Sequence, residues 1–258
     1  MTSNIIREVA EQALAEAAEA RKFMEFHEIL FLGPTGITDP GRHYDNYANM
    51  IWNRILSLHD DCALLLGADR IPAACAMARC ILETYAVGEF SKHEVAKAFG
   101  KGGIAAAGEV VLAYINSSRL KVEEQKRFKA GTFSRDDYHF TEQALQRMTN
   151  EEAVSKHILN ALRNLFKREM DITQRNESQF ELTYETLSEW THPSQTSLFH
   201  AFAKQAWTVE TSAGLISIWD GALAACARGM HFVTAVPELV GNMKDVADQL
   251  SEAYASAA

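Results

Sequence analysis

The chain has 258 residues, with 25 Lys and Arg against 34 Asp and Glu, a net charge of −9 and a pI near 5.5. That balance excludes a broad nucleic-acid-binding face but leaves room for a local basic groove. Hydrophobic residues make up 47% and charged residues 23%, and a chain of this length buries roughly 70–75% of its unfolded surface, so a sizeable core can form without staples.

Five prolines and little β-branched alternation make helix the dominant expectation. A first helix is expected over 4–31, with an apolar stripe of Ile5, Ile6, Val9, Ala13, Ala17 and Ala20. Gly33 to Gly41 reads as a loop by its turn chemistry, and it lacks the Gly-Lys-Ser/Thr ending of a phosphate loop. A second helix follows from about Tyr44 to Leu66, with Tyr47, Ile51, Ile55, Leu58, Cys62 and Leu65 facing the core and Gly67 as C-cap. The third, from Pro72 to about Phe90, is apolar on most sides except at Arg79, Glu83, Thr84 and Glu89. Ser91-Lys92-His93-Glu94 reads as a capping box opening a short helix to Phe99, and Gly100 to Gly103 is the best hinge candidate.

Further helices are expected at about 104–129 and 134–148. Another opens at the capping box Thr149-Asn150-Glu151-Glu152 and carries Val154, Ile158, Leu162, Leu165 and Phe166 on one side. Residues 194–208 could be helix or an irregular cover. A core helix is expected over 211–235, then Pro237 and a terminal helix from about Asn242 to Tyr254. The run Ala213 to Val236 is the most apolar, but Asp220, Arg228 and His231 break it, so it reads as a core helix rather than a membrane span. The expected architecture is an all-α, single-domain multi-helix bundle over 1–258 with buried central helices.

Cys62, Cys75, Cys80 and Cys226 lie in apolar helical runs without a C-x-x-C spacing, so they read as reduced, buried side chains. The start Met1-Thr2-Ser3-Asn4 lacks the basic and apolar regions of a signal peptide. The expectation is a cytoplasmic protein with no membrane contact, no cofactor and no metal.

The stretch richest in chemistry is Tyr184 to Pro193. Ser178-Gln179-Phe180-Glu181 is a capping box that starts a helix at Gln179. Pro193 ends it, because proline pushes the preceding residue out of the α region. Tyr184, Ser188 and His192 fall at i, i+4 and i+8, and drift by only ~80° around the helix, so they share a face. His192 falls at the C-terminal end, where unpaired carbonyls favour an imidazolium. Such a seam either lines a pocket or locks the helix to its neighbours, because buried polar groups need partners in both cases. Arg79 and Glu83 form an i, i+4 pair among Ala76, Met77, Ala78, Cys80, Ile81, Leu82 and Ala86, and so are expected to be desolvated.

Several enzyme classes are excluded. Glu189 and His192 make one E-x-x-H, and a di-iron or di-manganese bundle needs two. No Gly-x-Ser-x-Gly elbow surrounds Ser188. Asp60 and Asp61 beside His59 diverge by ~100° on a helix, which is awkward for joint metal ligation. Arg54 to His59 has the R-x4-H spacing of the HEPN superfamily of helical ribonucleases and nucleotide-binding proteins, with Ile55 where that family often has a polar residue. In such a site histidine handles a ribose hydroxyl proton and arginine stabilises phosphorane charge.

A broader resemblance joins two regions. Ala74 to Glu83 fits A-x4-R-x3-E, and Tyr184 to Pro193 fits Y-x2-L-S-x3-H-P. Together, across roughly 55–195, they resemble a family of helical bacterial proteins classed as a domain of unknown function. The resemblance implies that Arg79, Glu83, Tyr184, Ser188 and His192 belong together as a binding set. Three function classes follow: a small-ligand-binding or scaffolding protein built on that cluster; a HEPN-like, metal-independent ribonuclease or RNA-binding protein with His192, His59 or Arg54 as catalytic candidates; and a helical interaction module, with a homodimer through the alanine-rich first helix. Small polar ligand and RNA are the corresponding partners.

Overall fold

A computed structural model describes residues 2–30, 39–116, 158–200, 208–211 and 214–257. The fold is all-α. Among the described residues there are seven α-helices: α1 (Thr2–Arg21), α2 (Pro40–Gly67), α3 (Ile71–Asn116), α4 (Ile158–Thr173), α5 (Gln179–Thr191), α6 (Ile218–His231) and α7 (Val236–Ala257). A π-helical turn, Thr196–His200, a 3-10 turn, Phe232–Ala235, and a two-stranded antiparallel hairpin, β1 (Thr208–Thr211) with β2 (Gly214–Ser217), complete it. Val209 pairs with Ile216 in the hairpin. The helix expected at 134–148, the Thr149 capping box and the tail of the helix expected at 104–129 fall outside the described residues, whereas the amphipathic helix that box was expected to open is present from Ile158 as α4, with Leu162, Leu165 and Phe166 buried on one side.

Contacts group the chain into two compact units. The first holds Met1–His27, Ile51–Val87 and Leu162–Leu239; the second holds Glu28–Met50, Gly88–Ala161 and Val240–Ala258. Within α3 two helical stretches meet at a kink at Gly103 (φ 67°, ψ −158°), inside the glycine run 100–103 that the sequence marked as a break.

In the first unit α1 packs on α6, and α6 on α5. The buried face of α1 is Ala10 and Ala17, while Ile5 and Val9 of the expected stripe are exposed. The helix ends at Arg21 rather than at 31. The backbone of His27 instead exchanges two hydrogen bonds of 2.8 Å with the Asn53 side-chain amide, which gives the chain a better partner than another helical turn. Trp52 donates its indole N–H to the Glu25 carbonyl at 2.7 Å and stacks on His27 at 4.6 Å. The helix expected from 211 begins at Ile218, because Thr208–Thr211 and Gly214–Ser217 are paired strands. The rest of the core comes from Ile55, Leu56, Cys62, Cys75, Ile81, Leu82, Leu187, Cys226 and Val233, each fully buried.

In the second unit, Asp39 caps α2 by accepting from the Gly41 N–H at 2.9 Å, and Pro40 opens the helix, four residues ahead of the expected start. Leu30 exchanges two backbone hydrogen bonds with the Asn46 amide at 2.8 and 3.0 Å. Ser91 does not start a helix. Its buried hydroxyl donates to the Gly88 carbonyl at 2.8 Å and meets the Tyr44 phenol at 3.0 Å, so a capping-type residue is satisfied inside α3. Tyr44, Tyr47 and Tyr114 pack together with ring centroids 6.2 and 6.1 Å apart. Two helix ends belong to the first unit. Pro237 lies in the first turn of α7, where its missing N–H costs nothing, so the last helix starts at Val236 rather than Asn242. At the C-terminal end of α2, Gly67 is not the left-handed cap. Asp69 takes that conformation, with φ 57°.

Candidate functional site

The site lies in the first unit, between α3 and α5. The apolar residues Ala74, Cys75, Ala78, Ile81 and Leu82 are fully buried and fix the rotation of α3. Arg79 and Glu83 then fall at the edge of that face, with 21% and 24% of their side chains exposed. On α5 the buried residues Thr183, Leu187 and Trp190 fix the rotation. Trp190 meets Trp219 edge-on at 5.6 Å, Phe180 meets Phe232 at 4.9 Å and the Tyr184 ring packs near Phe166 at 6.2 Å.

Both ends of α5 are chemically fixed. Ser178 accepts from the Glu181 N–H at 3.0 Å, as its capping box requires. A second carboxylate, Glu169 of α4, caps the same helix start. Its carboxylate accepts from the Gln179 and Phe180 N–H groups at 3.2 and 3.1 Å and from the Ser178 hydroxyl. A negative charge at a helix N-terminus is favourable both by dipole and by hydrogen bonding. At the other end His192 is extended (φ −96°, ψ 157°), as a residue before proline should be, and its N–H donates to the Ser188 carbonyl.

Arg79 joins the two helices. Its Nε donates to Glu83 at 2.9 Å, Nη1 to Thr191 at 2.8 Å and Nη2 to the Tyr184 hydroxyl at 2.9 Å. Nη1 also lies 3.2 Å from His192 Nε2. The Tyr184 hydroxyl donates onward to Glu83 at 3.2 Å, and the guanidinium carbon stands 4.9 Å from the Tyr184 ring centroid. One side chain thus touches both the middle and the end of α5. Burial works against the Arg79 charge, but Glu83 and Tyr184 outweigh it and hold its pKa above the usual value. Burial, and then the Glu83 carboxylate, raise the Tyr184 phenol, so it stays protonated and can donate.

The Arg79–His192 contact decides a tautomer. A guanidinium only donates, so the ring nitrogen facing it is an unprotonated acceptor and the proton of the neutral ring sits on Nδ1. His192 itself is exposed.

Of the five residues the sequence grouped, Arg79, Glu83, Tyr184 and His192 come together and Ser188 does not. The Ser188 hydroxyl donates to the Tyr184 carbonyl at 2.7 Å, within its own helix. Thr191 takes the place that Ser188 was expected to fill. Its hydroxyl also donates to the Ser188 carbonyl at 3.0 Å, and no sequence spacing pointed to it.

Arg54 and His59 turn to different neighbours. The Arg54 Nε donates to Thr84 at 3.2 Å. His59 is 3% exposed, with Nδ1 3.5 Å from Asp60, and Nε2 has no partner among the described residues. An i, i+5 spacing turns two side chains about 140° apart, and packing sends each to a different neighbour. Asp60 is bound by Arg21 through two contacts, at 2.9 and 2.7 Å.

Comparison with protein-family models, with curated proteins and with solved structures finds no match to this chain.

Proposed function

We propose that this is a cytoplasmic, non-catalytic helical binding protein that recognises a small polar ligand at the Arg79–Glu83–His192 edge of the α3–α5 cluster. One observation carries the proposal: the guanidinium is held by four partners, yet two groups around it keep unused capacity. Glu83 takes both of its hydrogen bonds on Oε1, which leaves Oε2 without a partner among the described residues. The exposed His192 ring presents its Nδ1–H, by the tautomer argument above. An acceptor and a donor held around one guanidinium suit a neutral or zwitterionic ligand with an amide-like edge, and preorganisation by Arg79 lowers the ordering cost of binding.

The experiment is a titration calorimetry and thermal-shift panel of small amides, ureas, nucleobases and amino acids, run on wild type, Glu83→Gln and His192→Ala. A true ligand should lose roughly tenfold or more in affinity, about 1.4 kcal/mol, in each variant. A panel without a binder, or a binder indifferent to both substitutions, counts against the proposal.

A ribonuclease is the second reading, favoured by one contact, the 3.2 Å approach of Arg79 to an exposed histidine. It moves the candidate pair from Arg54 and His59 to Arg79 and His192. RNA cleavage that persists unchanged in His192→Ala removes it.

A further inference from the structure

The first unit holds a second group of chemically capable side chains away from the Arg79 cluster. Cys62 of α2, Cys75 of α3 and Cys226 of α6 are each fully buried, and all four cysteines are free thiols. Cys75 Sγ lies 3.4 Å from Cys226 Sγ, across 151 residues of sequence. The Cys62 thiol donates to the Ala74 carbonyl at 3.3 Å and also interacts with Cys226.

The closeness of these sulfurs has a backbone cause. A Cβ placed on Gly229 would stand 2.9 Å from both the Cβ and the carbonyl oxygen of Ala78. The two helices therefore approach backbone to side chain at Gly229 and Ala78. Cys226 and Cys75 sit three residues before Gly229 and Ala78, one helical turn back along each. Small residues at such a crossing bring the neighbouring Cα atoms close, and a disulfide needs Cα atoms roughly 4.4–6.8 Å apart.

We infer that Cys75 and Cys226 form an oxidisable dithiol, a modification site that hydroperoxides convert into a disulfide pinning α3 to α6. The balance is simple. One thiol attacks the peroxide; the O–O bond breaks, a sulfenic acid forms, and water leaves from hydrogen peroxide or the corresponding alcohol from an organic hydroperoxide. The second thiol then attacks that sulfur, the S–S bond forms, and the sulfenic oxygen leaves as water. Two thiols lose two electrons and the peroxide gains them. Contact with Cys226, and then burial, push the Cys62 thiol up. Contact with Cys62 lowers the Cys226 thiol, but contact with Cys75 and burial together outweigh it and hold Cys226 well above its ordinary value. The reaction is accordingly slow in the closed fold and proceeds with a small neutral oxidant.

The test uses the full chain, native and reduced. It is treated with hydrogen peroxide, denatured in N-ethylmaleimide, digested without reductant and read by mass spectrometry. The expected result is a Cys75–Cys226 linked peptide that disappears on reduction, a fall in titratable thiols from four to two, and an unfolding midpoint that rises until dithiothreitol is added. The same linked peptide should form in Cys62→Ser and Cys80→Ser and not in Cys226→Ser. If Cys226→Ser does not fold, wild type decides alone, by comparing native treatment with treatment in urea. A bridge found equally in urea, a bridge mainly through Cys62 or Cys80, or sulfinic acid without any bridge each overturns the inference.

Discussion

The Arg79 cluster makes a quantitative claim about how α5 is held. Arg79→Ala removes donors to Glu83, Thr191, Tyr184 and His192 together with the cation–π contact. It also leaves the Glu83 carboxylate with one partner, the Tyr184 hydroxyl. Hydrogen bonds to charged groups contribute about 1.5–3 kcal/mol each, but they are not additive. Both charged side chains keep more than a fifth of their surface in water, which replaces part of what is lost. The expected destabilisation is therefore about 2–4 kcal/mol. Tyr184→Phe keeps the ring against Phe166 and removes one accepted and one donated bond, for about 1–2 kcal/mol. If the hydroxyl acts through Arg79, the second substitution should cost little once the first is made. A coupling on the order of 1 kcal/mol should then appear in the double-mutant cycle. Urea unfolding followed by the fluorescence of Trp190, buried on the same helix, measures all four corners. In a chain of this size each kcal/mol moves Tm by roughly 2–4 °C, which gives an independent reading. Additive effects within about 0.3 kcal/mol would refute the claim that Arg79 and Tyr184 hold α5 as one unit.

Three further outcomes follow from particular contacts. Gly229→Ala drives a methyl against the Ala78 backbone and should destabilise by about 1–3 kcal/mol in urea unfolding, whereas Gly221→Ala, with open space around it, should not. Glu169→Ala removes the carboxylate that caps α5 from α4 and should lower stability by about 1–2 kcal/mol, with less of that loss at high salt. His59 is held below its ordinary pKa of 6.5 chiefly by burial, against a smaller raising effect of Asp60. The unfolded chain then takes up a proton near pH 6.5 before the folded one does, so its contribution is complete above that pH and lost as pH falls below it. Denaturation midpoints measured from pH 7.5 down to 5 should fall, and His59→Gln should flatten part of that fall, His43 being lowered by burial in the same direction. A slope unchanged by His59→Gln would refute the assignment.

What could be read from the sequence was what local chemistry decides. The start of α5 at Gln179 and its stop before Pro193 follow from a serine cap and a proline, both within a few residues of the helix end. The Arg79–Glu83 pair follows from i, i+4 spacing among apolar neighbours. The features missed depend on partners far along the chain. Ser91-x-x-Glu94 has the same local pattern as Ser178-x-x-Glu181, yet the phenol of Tyr44 and the carbonyl of Gly88 satisfy Ser91 inside a continuous helix. Glu169 caps α5 from another helix, which no motif at 178–181 could reveal. Thr191 displaces Ser188 from the cluster because Ser188 finds the Tyr184 carbonyl first, a competition between local and distant acceptors that spacing cannot rank. The hairpin of β1 and β2 is short, and the apolar run that follows it drew the expected helix too far toward the N-terminus.

The same contacts weigh the binding proposal against the ribonuclease one. For cleavage of RNA, a histidine must take the 2′-hydroxyl proton while an arginine meets the phosphate. In this site the two are spent on each other: His192 Nε2 faces the Arg79 guanidinium, and the remaining ring nitrogen carries the proton. To act as a base, His192 would have to shift its proton or release Arg79, and a free guanidinium would have to leave Glu83, Thr191 and Tyr184 as well. Releasing the clamp is worth the same ~2–4 kcal/mol that Arg79→Ala should cost. An open state at that energy is populated at roughly one part in thirty to one in a thousand. Catalysis through it would carry that factor as a loss, whereas a ligand that takes up the unused Glu83 oxygen and the His192 N–H needs no release at all. The arrangement therefore favours recognition over proton transfer, and Thr191→Val gives the discriminating result. It loosens Arg79 without touching the histidine, so it should weaken ligand binding if the clamp preorganises the site, and raise cleavage if the clamp restrains it.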